Sequence, residues 1–384
     1  MSRKDFTLEE FADRRARVRA ALAAQGLDWL VAVHPVSIHW LTGSDAKSYQ
    51  EFQCLLISAR PGPVVVLTRE GERHEFRDDA LVDEIFVHGG REPEDPVAAF
   101  GKLAERFGLL KARVGLEVPG FYLHPHHYVA LKALLGPALV AEPTNLVHAL
   151  KLVKSPTELR YIREAARIGD LAMARFQAML APRRSELELG GAVYETLMAN
   201  GSGVAASPIN IVSGERSGFS HGAPTLRRLK PGDSVNVEYG STCRRYTSTI
   251  GRQFSLGQPS PRLRDIYEVV RRASDAMIAA IKDGVPTQLP HEAAKRVIGA
   301  AGMEQGRVHL SGYGLAPGFP PTWAEPLYLF GGDTQTLRAG MVVTIEPPVF
   351  LGDEFLGARI IDNVLVTADG CELLSRTSRD LVAV

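Results

Sequence analysis

The sequence is poor in cysteine: it has three, Cys54, Cys243 and Cys371, far apart and odd in number. Such a set builds neither a disulfide framework nor a cysteine-based zinc site, and it fits a reducing compartment. An excess of charge is also missing, since 44 Lys and Arg balance 44 Asp and Glu. No bulk positive field gathers nucleic acid or an anionic membrane. No apolar run approaches the roughly 18 residues needed to span a bilayer. The opening stretch MSRKDFTLEEFADRR is charged and reads as no secretory signal. Fixed-period repeats and low-complexity tracts are absent too. What is there is an ordinary folded-protein composition, 45% hydrophobic and 23% charged. At about 150 residues per domain, 384 residues predict two domains. The expectation is a soluble cytoplasmic chain with two cores.

Residues 6–25 set Phe6, Phe11, Val18 and Leu22 among Arg and Glu and run into Gly26, which predicts an amphipathic helix with a glycine stop. Short buried strands are predicted at 29–33, 63–68, 84–88 and 114–118, with helices over 98–107 and 128–134. Alternating strands and helices predict an α/β domain over residues 1–152. Ser155-Pro156-Thr157-Glu158 then supplies an N-cap, a proline at the first helical position and a capping-box glutamate. A long helix to 179 opens a second domain, 153–384. There, helices are predicted at 186–199, 262–282 and 291–301. Strands are predicted at 209–212, 341–346 and 358–366, and a hairpin at 234–240 with 244–254. Helices in the middle and strands at both ends predict an α+β fold. The Gly/Pro-rich stretch 312–321 is expected to be an irregular loop walling a site.

Several polar residues stand at turns and strand ends. His221 lies in a Ser-His-Gly-Ala-Pro turn, where it is either an acid/base group or a histidine bonded to backbone. Glu238 interrupts Val235, Val237 and Tyr239 and is read as sharing the buried side of the two valines. Glu346 ends an apolar strand before two prolines. Two such carboxylates form an acid/base pair if buried, or ordinary strand-edge charges if not. Arg244, Arg245 and Arg252 flank the hairpin as carboxylate clamps or solvated charge. Tyr313, Phe319, Trp323 and Tyr328 surround the Gly/Pro stretch as a cation box or as core. The cysteines read as structural.

Taken in order, these segments resemble the creatinase/prolidase/methionine aminopeptidase superfamily. The carriers are Ile38-His39-Trp40-Leu41-Thr42-Gly43, Lys154-Ser155-Pro156-Thr157-Glu158-Leu159, His221-Gly222-Ala223-Pro224, Gly232-Asp233, Gly312-Tyr313-Gly314, Thr344-Ile345-Glu346-Pro347 and Arg359-Ile360-Ile361-Asp362. The resemblance implies a creatinase-type α/β N-terminal domain and a pita-bread α+β catalytic-type domain. Its metallopeptidases hold two divalent metals with two Asp, one His and two Glu. The matching positions here are Glu238, Thr249, Tyr313, Glu346 and Ile361. The resemblance therefore implies a site without metal or other cofactor. Creatinase and ectoine hydrolase, the metal-free members, open C–N bonds of small zwitterionic nitrogen compounds. Thr242-Cys243-Arg244-Arg245-Tyr246 after Glu238, and Gly312-Tyr313-Gly314 running into Pro320-Pro321-Thr322-Trp323-Ala324-Glu325, are similar to ectoine hydrolase. Glu346-Pro347 and Arg359 are more similar to the peptidase branch.

By that resemblance His221, Glu238 and Glu346 are the expected catalytic residues. Arg245, Tyr246, His309, Tyr313, Trp323, Glu325 and Arg359 are the expected substrate-binding residues. The expected function is metal-independent C–N hydrolysis of a small zwitterion. The alternatives are an Xaa-Pro dipeptidase or aminopeptidase with a degenerate metal site, and a noncatalytic ligand-binding homologue. The resemblance further implies a small-molecule substrate and a homodimer, with no nucleic-acid or membrane partner.

Overall fold

Strand residues that are apolar at every position, not every second one, need a core on each face. Leu30 and Ala32 project to one side and Val31 and Val33 to the other, and each pair enters its own cluster. The computed structural model describes residues 4–45 and 47–384. It divides into two units, Met1–Lys151 and Leu152–Val384.

The first unit is a six-stranded mixed sheet. Its strands run in the order Glu84–His88, Val65–Arg69, Cys54–Ser58, Trp29–Ala32, Val114–Leu116 and Leu139–Ala141. Val18 and Leu22 of helix Leu8–Ala24, with Ile38 and Trp40 of helix Pro35–Thr42, fill one face. Phe100 and Leu103 of helix Pro96–Arg106, with Leu131 and Leu135 of Pro125–Leu135, fill the other. The predicted strands fall on four of the six. Cys54–Ser58 gave no signal because a uniformly apolar run has no period to read.

The second unit hangs a curved sheet on one long hairpin. Ser234–Cys243 and Tyr246–Ser255 pair from Ser234↔Ser255 to Cys243↔Tyr246. From Cys371–Leu373 the sheet runs through Asp362–Val366, Val342–Ile345, Tyr313–Phe319, the hairpin and Asn210–Ser213. Helices Pro156–Met179 and Glu186–Ala199 cover the hairpin through Met173, Phe176, Val193, Val235, Val237 and Tyr239. Helices Pro261–Ala280 and Gln288–Ala300 cover the other half. The predicted capping box is present at Ser155 and Glu158.

Three expectations change. Val235, Val237 and Tyr239 share the helix-covered face, so Glu238 points to the opposite face of its strand. Stretch 312–321 is no loop: Tyr313–Phe319 pairs with Thr322–Tyr328 in an irregular hairpin with register shifts. Glycine permits this strand, because a Cβ at Gly318 would lie 2.7 Å from Thr247 Oγ1 and 3.0 Å from Ala206 Cβ. The predicted strand 358–366 is cut at Arg359–Ile361 into Leu356–Ala358 and Asp362–Val366. Among the described residues no helix is long and apolar enough to cross a membrane.

Candidate active site

The face of the sheet away from the helices gathers polar residues that its core-facing neighbours exclude. Glu238 is buried, and its Oε2 holds the Arg359 guanidinium, Nη1 at 2.6 Å. Asn210 Nδ2 donates to the same oxygen at 3.2 Å. Among the described residues nothing donates to Oε1. Arg359 Nη2 also donates to the Ser220 carbonyl, and the guanidinium stands over the Phe350 ring, 5.2 Å from its centroid. His221 follows Ser220 and stands edge-on to His309, with ring centroids 5.3 Å apart. Desolvation lowers the His221 imidazole from its ordinary value, against the pull of the Glu238 carboxylate, while Arg359 and His309 add to the lowering. The ring is neutral at neutral pH and able to take a proton.

Glu346 is the second carboxyl. Its burial, followed by the nearby Glu238 charge, pushes it up to about 8, against Arg359 and the hydroxyls of Thr344 and Tyr313. Thr344 Oγ1 donates to Glu346 Oε1 at 3.2 Å and accepts the Tyr313 backbone N–H at 3.2 Å. The Tyr313 hydroxyl accepts the Trp323 indole N–H at 3.0 Å and meets Glu346 on its other side. Burial, then Glu346 and Glu238, hold the phenol well above its ordinary pKa. The site thus contains one buried ion pair, one carboxyl that keeps its proton at neutral pH and one neutral imidazole. Environments that push paired carboxyls apart assign them different roles.

The remaining positions of the five lie beside these groups. Glu238, Gly251 and Ile361 form one row across three chain segments, since Glu238 pairs with Gly251 and Gly251 bridges to Ile361. The Ile361 side chain covers Gly251, where a Cβ would meet it at 2.8 Å. Thr249 donates its backbone N–H to Asn363 Oδ1 at 2.6 Å, and its Oγ1 accepts Asn363 Nδ2 at 2.8 Å. Among the described residues no three His, Cys, Asp or Glu side chains converge to hold a metal ion.

His221, Glu238, His309, Tyr313, Trp323, Glu346 and Arg359 therefore come together. Three expected binding residues do not. Arg245 forms the hairpin turn, and Cys243↔Tyr246 lies five pairs from Glu238↔Gly251, roughly 17 Å at about 3.4 Å per residue. The Arg245 guanidinium packs on Phe319, 4.4 Å from the ring centre. Tyr246 is buried, with its hydroxyl on Glu158 Oε1 at 2.8 Å. Glu325 forms a buried ion pair with Lys154 at 2.7 Å. All three are taken up by the fold. Two other roles change as well. Arg359, expected to bind substrate, holds Glu238. Trp323 lies against the backbone of Gly240, whose Cβ would meet the indole at 2.8 Å, and steadies Tyr313. The sequence gives no signal for Asn210 or Asn363, because each acts through a partner distant in the chain, Glu238 and Thr249 respectively.

Residues 160–368 match Metallopeptidase family M24, and residues 14–155 match the Creatinase/Prolidase N-terminal domain. "Probable dipeptidase PepE" of Mycobacterium tuberculosis is 29% identical over 388 residues, spanning 100% of this chain and 99% of that protein. Ectoine hydrolase of Halomonas elongata is 26% identical over 400 residues, spanning 98% of each. Among solved structures, dipeptidase PepE from Mycobacterium ulcerans aligns with a TM-score of 0.85 at 27% identity, covering 99% of each chain.

Proposed function

We propose that this chain, which belongs to the M24 metallopeptidase family and carries the creatinase/prolidase N-terminal domain, hydrolyses a C–N bond of a small zwitterionic nitrogen compound without a metal ion. That it is a hydrolase goes with the family. The finer reading is carried by one observation: the carboxylate at the first ligand position grips a guanidinium, with Arg359 Nη1 2.6 Å from Glu238 Oε2. A hard divalent ion needs several oxygen or imidazole donors. Ile361 offers none, the Thr249 hydroxyl is engaged by Asn363, and among the described residues no three His, Cys, Asp or Glu side chains converge. These residues do not fit a metal pair.

In this reading Glu238 keeps Oε1 for chemistry. It draws a proton from water as the water oxygen bonds to the substrate carbon, or it attacks that carbon itself and water then releases the product. His221 relays the proton to the nitrogen as the C–N bond breaks. Glu346 holds its proton toward the substrate's electrophilic end. A neutral carboxyl serves this hydrogen-bond donation and would orient a cationic nitrogen poorly. The test is a mass-spectrometric screen of ectoine, creatine, cyclic amidines and Xaa-Pro dipeptides, with and without chelator, beside elemental analysis of the purified protein. Turnover unaffected by chelator is expected. Stoichiometric Mn or Zn in protein purified without added metal would sink the reading.

The similarity to the mycobacterial protein named a probable dipeptidase, along the whole chain, favours a second reading as a dipeptidase, of the Xaa-Pro kind that the sequence resemblance offers as an alternative. Xaa-Pro cleavage abolished by chelator and restored by Mn²⁺ would select it. A small-molecule substrate and a homodimer complete the first proposal, and the mass in solution by light scattering checks the dimer.

A further inference from the structure

We infer that Asn210 is a positioning residue that fixes the His221 loop against Glu238. The inference rests on reading this pocket as catalytic. Asn210 opens the strand Asn210–Ser213, whose register sets it opposite Glu238. Its amide spans the gap in two directions: Nδ2 donates to Glu238 Oε2 at 3.2 Å, and Oδ1 accepts the Gly222 N–H at 3.2 Å. The partners dictate which way the amide faces, since an ionised carboxylate only accepts and a backbone N–H only donates. One residue on, the Ile211 N–H donates to the Gly222 carbonyl at 3.0 Å. Gly222 consequently lies flat on the strand, and a Cβ there would collide with Val212.

On the other side of His221, the Ser220 carbonyl accepts from Arg359, which is also the second donor on Glu238 Oε2. Two tethers thus leave one carboxylate oxygen and return to the two residues that flank His221. One runs through Arg359 to Ser220, the other through Asn210 to Gly222. His221 itself is exposed, and among the described residues its imidazole takes no hydrogen bond of its own. Its placement is therefore set by its backbone neighbours. The Asn210 bond joins the Ile211 N–H in holding Gly222 on one flank of His221, while Arg359 holds Ser220 on the other. Misplacement of a reacting group by about 1 Å costs on the order of 10²-fold in rate.

Two variants separate the two halves of the bridge. Asn210→Ala removes both bonds. Asn210→Asp is isosteric, keeps an acceptor for Gly222 and turns an oxygen toward Glu238 in place of the donor. In Asn210→Ala the Gly222 amide should exchange with solvent about tenfold faster. On a substrate found in the screen, kcat should fall about tenfold or more while KM changes little. In Asn210→Asp, Gly222 should stay protected while kcat still falls. Circular dichroism and thermal unfolding confirm that each variant folds, and Asn210→Asp carries the test alone if Asn210→Ala does not. Wild-type Gly222 exchange in Asn210→Ala, or wild-type kcat in either variant, overturns the inference. The exchange arm needs no substrate. A wild-type protein that turns over nothing would therefore sink the proposed function, while Gly222 exchange still decides the tether.

Discussion

Glu346 shows what burial does to a carboxyl beside a carboxylate. Below about pH 4.5 it is protonated folded or unfolded and adds no pH dependence, whereas between there and about 8 the unfolded chain releases the proton and the native state holds it. Stability from this group therefore falls as pH rises through that window. Glu346→Gln abolishes the titration, so its stability relative to wild type should rise by roughly 3 kcal/mol from pH 5 to pH 8. Urea midpoints at both pH values measure it, and an equal difference at the two would refute the assignment. The chemistry is tested at the same scale. His221→Ala and Glu238→Gln should each lower turnover by about 10²-fold or more with circular dichroism unchanged. Activity that survives both changes dismisses the pair.

Elements bring these residues into reach. The hairpin carries Glu238 and Thr249 and backs onto Trp323 through Gly240. Gly240→Ala adds a methyl 2.8 Å from the indole and 3.3 Å from Ala205. The indole must shift and loosen its bond to Tyr313. A loss of about 1–3 kcal/mol is expected, with a red shift in tryptophan emission. Unshifted emission would mean that the indole does not rest on the strand. At the start of helix Pro156–Met179, Ser155→Ala removes one half of a capping box and should cost about 1 kcal/mol in urea unfolding without touching the site. The end of that hairpin is pinned by Arg252, buried with Nη2 on Asp362 Oδ1 at 2.6 Å and Nη1 on the Ile361 carbonyl at 2.8 Å. The arginine read as a clamp or as solvated charge instead holds the segment of Ile361 to the sheet.

For the whole molecule, each unit has a sheet with its own cores, and the candidate site lies within the second. If its charges are balanced by side chains alone, removing metal changes nothing that holds the fold. Thermal unfolding with and without EDTA should coincide. A drop of several degrees on chelation would mean that a bound ion contributes to stability. Legibility also differed with scale. The long periodic helices, the capping box and the strands 84–88 and 114–118 were visible because their causes are local: spacing, caps and β-branched runs. The irregular hairpin Tyr313–Phe319 with Thr322–Tyr328 was not, because glycine and proline read locally as breakers and only the crowding of Thr247 and Ala206 makes glycine the residue that fits.

The motifs of the sequence, taken in order, carried the resemblance to the family, and that resemblance implied the two-part architecture and which residues stand at the five ligand positions. These are properties of residues and their spacing, and they need no coordinates. Tertiary structure alone decided which charges meet. It set Arg359 on Glu238 and Asn210 beside them, buried Glu346 until it keeps its proton, and left Arg245, Tyr246 and Glu325 to the scaffold. Ion pairing and desolvation act through space, between segments more than a hundred residues apart in the chain, and no local pattern encodes that distance.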